Sequence, residues 1–199
     1  MSAGTTGARA AGKQWILWCI LALLIVFSCF FRISIVEGES MINTLEDQDK
    51  LLLSTRLYTV ECGDIIVVND DTTELGHPII KRVIALGGQT VKFTRDAIYV
   101  DGVKLDEPYV YTEDHQNIFG EFTEYKYTVY PSEALEPLLT SSEDGVYFEI
   151  RVPDGEIFVM GDHRNNSKDS RDFGTLHEDK IVGEVILRLL PFSKLGKIE

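Results

Sequence analysis

The sequence predicts a mainly β, barrel-like protein with one transmembrane helix at its N-terminus. Short apolar or alternating runs recur from residue 33 to the C-terminus, and turn-forming residues separate them. One long uncharged run stands apart from them near the N-terminus. Many short strands with little helix are typical of barrels and related all-β architectures.

The uncharged run, residues 14–31, predicts a membrane anchor. As a helix, its 18 residues would extend roughly 27 Å, which is close to the thickness of the hydrocarbon core. Bulky residues follow where a cleaved signal peptide needs small ones, so a retained anchor is favoured. Arg9 and Lys13 precede the run, and no acidic residue occurs before Glu37. This basic bias predicts a cytoplasmic tail (1–13), an anchor (14–31) in the cell membrane and an extracytoplasmic domain (32–199). Membrane lipid is then a partner of the anchor.

The predicted extracytoplasmic domain contains a series of short strands and one different segment. Residues 107–150 are rich in Tyr, Glu and Thr and hold three prolines, so we interpret them as an insertion or small subdomain. The predicted strands are 33–36, 50–54, 64–68, 77–86, 90–93, 97–100, 103–105, 156–160 and 180–190.

Charge and residue types exclude several kinds of protein. All 32 acidic residues but only 17 of the 19 basic ones lie from Arg32 onward, which leaves that part with a formal charge of −15. Such a surface argues against a nucleic-acid partner. Cys62 is the only cysteine after the anchor, so no disulfide can form within the domain. The four histidines lack the spacing of metal ligands, so we expect neither a metal nor a cofactor.

Residues 160–174, here called the polar loop, hold three Asp, two Arg, two Asn and two Ser directly after an apolar strand. An ordinary turn needs only two or three such residues. Polar groups beside a buried strand are costly unless they satisfy one another, and such networks often build active sites. The loop alone is equally compatible with an active site and with a solvated surface loop.

Ser40 and Lys81 are the candidate nucleophile and base. A serine hydroxyl needs a base within hydrogen-bond reach, and none of the histidines stands in a promising context. Lysine can serve if burial lowers its pKa, because desolvation disfavours the charged form. Lys81 lies in the apolar strand 77–86, which provides that setting. Taken singly, each residue also fits a structural role, Ser40 in a turn and Lys81 at a strand edge.

Four segments in order, preceded by the anchor, resemble bacterial type I signal peptidases. They read Ser-Met-x-x-Thr-Leu (40–45), Gly-Asp-Ile-Ile-Val-Val (63–68), Ile-Lys-Arg-Val-Ile-Ala-Leu-x-Gly (80–88) and Gly-Asp-x-Arg-x-Asn-Ser-x-Asp-Ser-Arg-x-x-Gly (161–174). The resemblance implies a β-rich catalytic core of the signal peptidase type with an inserted subdomain. It also implies a serine endopeptidase that removes N-terminal signal peptides from secretory preproteins by cutting after small residues in an A-x-A-like site.

The resemblance also implies a role for each matching residue. Ser40 would be the nucleophile, with its backbone N–H as an oxyanion donor, and Lys81 the general base. Ser167 would hydrogen-bond the lysine amine. The remaining expectations are an Asp169–Arg171 ion pair with Arg82 alongside, and a substrate pocket walled partly by Met41 and Ile80.

This chain departs from the family pattern at five positions. Asn43 replaces a usual proline, so the turn that presents Ser40 loses a constraint on φ. Gly38 stands where some members carry a hydroxyl that serves as a second oxyanion donor. The other departures are Gly87, Gln89 and His163.

Three alternative interpretations share some of these features. A self-cleaving repressor of the SOS-response type uses Ser and Lys but carries a DNA-binding head where this chain has an anchor. A mitochondrial inner-membrane-type peptidase also uses Ser and Lys, and the sequence distinguishes it less clearly from a bacterial enzyme. A catalytically silent tethered scaffold is disfavoured because Ser40, Lys81 and Ser167 are all retained.

Overall fold

The computed structural model describes residues 7–69, 76–94, 97–110, 146–164 and 166–198, with side chains outside the description at 7–13 and 146–148. In these ranges one long helix, α1 (Gly7–Phe30), precedes a body of strands. The strands are β1 (Phe31–Ile35), β2 (Lys50–Ser54), β3 (Ile65–Val68), β4 (Ile79–Leu86), β5 (Thr90–Thr94), β6 (Ile98–Val100), β7 (Val103–Lys104), β8 (Val146–Arg151), β9 (Glu156–Met160), β10 (Leu176–His177) and β11 (Ile181–Leu190). A short helix, α2 (Ser170–Phe173), and 3-10 turns at Glu178–Lys180 and Phe192–Lys194 complete them.

The strands form two antiparallel sheets. The larger has seven strands in the order β1-β2-β11-β3-β4-β9-β10, and the smaller has four in the order β7-β6-β5-β8. The chain passes from β4 to β5, and so from one sheet to the other, through the turn at Gly87 and Gly88. A Cβ on Gly87 would lie 2.8 Å from the backbone of Gly155, so only glycine fits this crossing.

Apolar packing joins the two sheets and supports the loops. One buried cluster combines larger-sheet residues such as Phe158 with smaller-sheet residues such as Phe93 and Ile150. A second cluster gathers Met41 and Leu45 with strand residues beneath the loop between β1 and β2. These clusters exclude water from the sheet interior and hold β4 and the β1–β2 loop at fixed positions.

The end of α1 continues directly into β1. The hydroxyl of Thr55 donates a 3.1 Å hydrogen bond to the carbonyl of Phe30, and the rings of Phe27 and Phe31 stack with centroids 4.6 Å apart. Within the residues whose structure is described, none of the helices has both the length and the apolarity needed to cross a membrane.

The prediction of a mainly β protein is confirmed, and each predicted strand corresponds to an observed one within about two residues. The predicted insertion, 107–150, is described only at its ends, since residues 111–145 lie outside the described ranges. Its last residues, 146–150, belong to β8, which pairs with β5 and is part of the smaller sheet. Residue 150 is therefore not a structural boundary.

Candidate active site

Ser40 lies in a tight turn between β1 and β2. The N–H of Ile42 donates to the carbonyl of Glu39 at 3.2 Å, and the N–H of Leu45 donates to the carbonyl of Met41 at 2.7 Å. Met41 and Leu45 are fully buried in the cluster below, so the turn is fixed from its apolar side. Ser40 itself is only half-buried and lines a groove.

Lys81 lies inside the larger sheet, because β4 runs between β3 and β9. Only 4% of the residue is exposed, so it is not a lysine that extends from a strand edge into water. Its Nζ lies 2.7 Å from Ser40 Oγ and 3.1 Å from the carbonyl oxygen of Ile80, to which it donates. The two candidate residues, 41 positions apart in sequence, are thus in direct hydrogen-bond contact.

Burial lowers the pKa of Lys81 from 10.5 to about 8. The nearby carboxylates of Asp169 and Asp162 oppose this change, whereas the guanidinium of Arg171 adds to it. A lysine with this pKa is neutral in an appreciable fraction of molecules near pH 7 to 8, and a neutral amine can accept a proton.

The polar loop is held by a buried ion pair between Asp169 and Arg171. Arg171 Nε and Nη2 each lie 2.8 Å from one carboxylate oxygen, and Asp169 is fully buried. Asp169 is also the N-cap of α2, where it forms a capping box with Asp172. Burial works against the charged form of Asp169, but Arg171 and the N–H of Gly161 outweigh it and hold its pKa below the ordinary value.

Ser167 lies beside the dyad without a hydrogen bond to Lys81. Its Oγ is buried and has no partner within hydrogen-bond geometry. It is close enough to Asp169 to favour that residue's charged form, and it packs against Gly161. The hydrogen bond between the Lys81 amine and the Ser167 hydroxyl, implied by the family resemblance, is therefore absent from this arrangement.

Arg82 forms a buried ion pair of its own, with Asp162. Its Nε and Nη2 lie 2.9 and 2.7 Å from the two carboxylate oxygens of Asp162, in the bidentate geometry that arginine favours. Asp162 also accepts a 2.5 Å hydrogen bond from the hydroxyl of Thr44, four positions after Ser40. Asp162 and Thr44 lie within the family motifs, but their sequence context assigns them no role in the site. The burial of both residues, and the contacts of Asp162 with Arg82 and Thr44, become visible only once the strands are placed.

The polar loop also contacts the Ser40 turn directly. The N–H of His163 donates to the carbonyl of Ser40 at 3.0 Å, and His163 Nδ1 lies 3.1 Å from the carbonyl oxygen of Glu39. A Cβ on Gly161 would stand 2.5 Å from the carbonyl oxygen of Ser40. Glycine at 161 therefore allows the loop to approach the nucleophile this closely.

A groove of about 390 Å³ opens beside Ser40 and Lys81. Met41 and Ile80 line it, together with residues from β1 on one side and from the start of β4 on the other. In β4, residues 79–81 pair with β3, whereas the pairing with β9 begins only at Arg82. Among the described strands, this part of β4 and the outer side of β1 keep a free edge that an extended peptide can join.

Two departures from the family pattern have structural explanations. Asn43 has φ +22°, which a proline ring cannot adopt, so the turn here is built for asparagine. Gly38 has φ +88°, and its N–H donates to Asp47 Oδ1 at 2.9 Å. In the described ranges, no group of three or more His, Cys, Asp or Glu side chains is arranged to hold a metal ion.

Comparison with known proteins assigns the family. The sequence matches the family described as "Signal peptidase, peptidase S26" over residues 9–190. The chain belongs to this family. It is a bacterial type I signal peptidase, a serine endopeptidase that removes signal peptides.

Individual signal peptidases resemble the chain over most of its length. It is 35% identical to signal peptidase I U of Bacillus subtilis over 170 residues, covering 83% of this chain and 79% of the relative. It is 34% identical to signal peptidase I of Bacillus caldolyticus, covering 93% and 94%. A crystal structure of a signal peptidase I from Enterococcus faecalis is 28% identical and covers 64% of this chain and 97% of its own, with a TM-score of 0.46.

Proposed function

We propose that this signal peptidase cuts secretory preproteins with Ser40 as nucleophile and Lys81 as general base. The 2.7 Å contact between Lys81 Nζ and Ser40 Oγ, at a lysine that is almost fully buried, is the observation that carries the proposal. Serine needs a base within about 3 Å, and a base works best when its pKa lies near the working pH. Lys81 meets both conditions.

The reaction would proceed through an acyl-enzyme. Neutral Lys81 takes the hydroxyl proton of Ser40 as Oγ bonds to the carbonyl carbon of the scissile peptide, and the carbonyl oxygen becomes an oxyanion. The backbone N–H of Ser40 is one donor to that oxygen. The protonated amine of Lys81 then gives its proton to the leaving nitrogen, and the C–N bond breaks. Water, deprotonated by the again neutral Lys81, hydrolyses the ester and regenerates the Ser40 hydroxyl.

The polar network supports the dyad through charge and position. Arg171 pairs with Asp169, and Arg82 pairs with Asp162, so each nearby carboxylate is neutralised by its own arginine. An unpaired carboxylate close to Lys81 would favour its protonated form and raise its pKa. The two ion pairs therefore help to keep the lysine available as a base.

Substrate specificity is proposed to arise in the groove beside Ser40. An extended preprotein segment would add as a strand between β1 and the start of β4, so that backbone hydrogen bonds supply affinity. Met41 and Ile80 limit the space for the side chain before the cleaved bond, which favours small residues and an A-x-A-like site.

Membrane anchoring completes the proposal. The 18 uncharged residues 14–31 would hold the enzyme in the cell membrane, in contact with lipid, with residues 1–13 inside and the catalytic domain outside. Protease added to intact spheroplasts should then cut after residue 32. Protection of the whole catalytic domain until the membrane is opened would contradict this orientation.

The enzymatic proposal is tested by incubating the detergent-solubilised protein with a preprotein and sequencing the new N-terminus. We expect a single cut after a small residue and no cut by Ser40→Ala. Full activity in Ser40→Ala would disprove the assignment of the nucleophile. An intact preprotein with the wild type would instead support a catalytically silent scaffold.

A further inference from the structure

The short segment after β7 lies outside the four family motifs. It contacts two arginines, Arg164 of the polar loop and Arg82 of β4. Residues 107–110 form a turn in which the N–H of Val110 donates to the carbonyl of Glu107 at 3.2 Å, with Pro108 at the second position. The segment is attached to the smaller sheet, since the N–H of Leu105 donates to the carbonyl of Ile98 at 2.9 Å. The turn directs Glu107 and Tyr109 toward the polar loop and β4.

Glu107 forms a buried ion pair with Arg164 of the polar loop. Arg164 Nη2 lies 2.5 Å from Glu107 Oε1, and the two side chains are 1% and 3% exposed. Arg164 also donates from Nε to the carbonyl of Gly161 at 2.9 Å, and its own carbonyl accepts from Arg171 Nη2 at 2.9 Å. Glu107 thus fixes the residue that connects the glycine beside Ser40 with the Asp169–Arg171 pair.

Tyr109 covers the second arginine. Its ring centre lies 3.8 Å from Cζ of Arg82, which is the geometry of a cation–π contact. Arg82 directly follows Lys81 in β4 and pairs with Asp162, which binds Thr44 of the Ser40 turn. The phenol oxygen of Tyr109 lies 3.4 Å from Glu107 Oε1, so the two side chains belong to one connected group.

We propose that Glu107 and Tyr109 are positioning residues for the peptidase reaction, acting through Arg164 and Arg82 to hold the polar loop and β4 in register with the Ser40–Lys81 dyad. The inference rests on the proposed function. Neither residue lines the groove beside Ser40, so neither is expected to contact the cleaved segment of the substrate. Their loss should therefore slow the chemical step and leave substrate binding unchanged.

The test compares kcat and KM for preprotein cleavage, per folded molecule, in four full-length variants. Glu107→Gln removes the charge and Tyr109→Leu removes the ring, and each should lower kcat by about 10- to 100-fold, because small displacements of reacting groups have effects of that size. KM should change by less than about twofold. Tyr109→Phe keeps the ring over Arg82 and should recover most of kcat. Glu46→Gln, which breaks the exposed pair with Lys194, is the matched control and should resemble the wild type.

A second measurement does not depend on turnover. The amides of Gly161 and His163 are bonded to Asp169 Oδ2 and to the carbonyl of Ser40, so their hydrogen exchange reports the position of the loop. Exchange at both amides should be faster in Glu107→Gln and Tyr109→Leu than in Tyr109→Phe and Glu46→Gln.

The outcomes separate this inference from the proposed function. Unchanged kcat and unchanged amide exchange in Glu107→Gln and Tyr109→Leu would overturn the positioning role, even if both variants melted at lower temperature. A raised KM with unchanged kcat would overturn it as well, because the residues would then act on substrate binding. Failure of the wild type to cut a preprotein contradicts the proposed function, whereas the exchange measurement still decides whether the segment positions the loop.

Discussion

Lys81 Nζ and Ser40 Oγ lie 2.7 Å apart at the edge of a groove whose two sides are free strand edges. The amine is buried enough to have a pKa of about 8, and two arginines neutralise the carboxylates around it. Burial lowers the pKa of Lys81 and so makes it a base. The same burial should reduce the stability of the folded protein whenever the amine is charged.

Ser167→Ala should reduce activity less than loss of the base itself. In this structure Ser167 Oγ packs against Gly161 and does not bond Lys81, so its removal disturbs the surroundings of the dyad and leaves the amine in place. A positioned base contributes about 10²–10⁴ in rate, and we expect the Ser167→Ala loss in kcat at or below that range. A loss equal to that of Lys81→Ala would show that Ser167 is indispensable to the base.

Gly161→Ala should inactivate the enzyme, because the new Cβ would meet the carbonyl oxygen of Ser40. The loop would have to move away from the nucleophile, and we expect kcat to fall by roughly 10²-fold or more. The variant Gly161→Ala/Ser167→Gly removes the clash with the serine side chain but not the clash with the Ser40 backbone. It should remain inactive, and its recovery would show that the Ser40 contact is unimportant.

Asn43→Pro should destabilise the protein, although proline is usual at this position in the family. Its backbone has φ +22°, whereas proline holds φ near −65°. We expect a loss of more than about 1 kcal/mol in the free energy of unfolding, measured in urea. Asn43→Gly is the control, since glycine accepts positive φ without strain. A proline variant as stable as the wild type would mean that the turn readily adopts another conformation.

Lys81→Met should stabilise the protein at neutral pH while abolishing activity. The pKa of Lys81 is lowered from 10.5 to about 8 on folding, so below pH 8 the folded protein bears a cost of roughly 3 kcal/mol for holding a charged amine in a buried site. Between pH 8 and 10.5 the unfolded chain binds more protons than the folded one, so the wild type gains stability as pH rises. The advantage of methionine in thermal unfolding should therefore shrink over that range. A constant difference from pH 6 to 10.5 would contradict a lowered pKa.

Local sequence patterns predict the strands because an apolar or alternating run is visible within a few neighbouring residues. The apolar run around Lys81 and the polar loop after Met160 were both recognisable from neighbouring residues. Which strands would become neighbours was not predictable in this way, since β11 lies between β2 and β3 although it is last in the chain. Sheet order depends on packing between distant segments, which leaves no mark on a short window of sequence.

The same limit applies to the site. Ser40 and Lys81 could be selected because their chemistry and context are distinctive. The partners of Arg82 and Arg164 could not, because Asp162 and Glu107 lie 80 and 57 positions away from them. Glu107 belongs to a segment that composition assigned to an insertion, so only its placement next to the polar loop connects it with the site.

The central claim, that Lys81 acts as a neutral amine on Ser40, is tested most directly by the pH dependence of kcat/KM for wild type beside Lys81→Arg. The wild-type rate should rise with pH through a midpoint near 8, because the base must lose its proton to work. Arginine keeps the charge and cannot deprotonate, so Lys81→Arg should be as inactive as Lys81→Ala at every pH. Substantial turnover by Lys81→Arg, or a wild-type rate that does not change between pH 6 and 9, would contradict the assignment of Lys81 as the base.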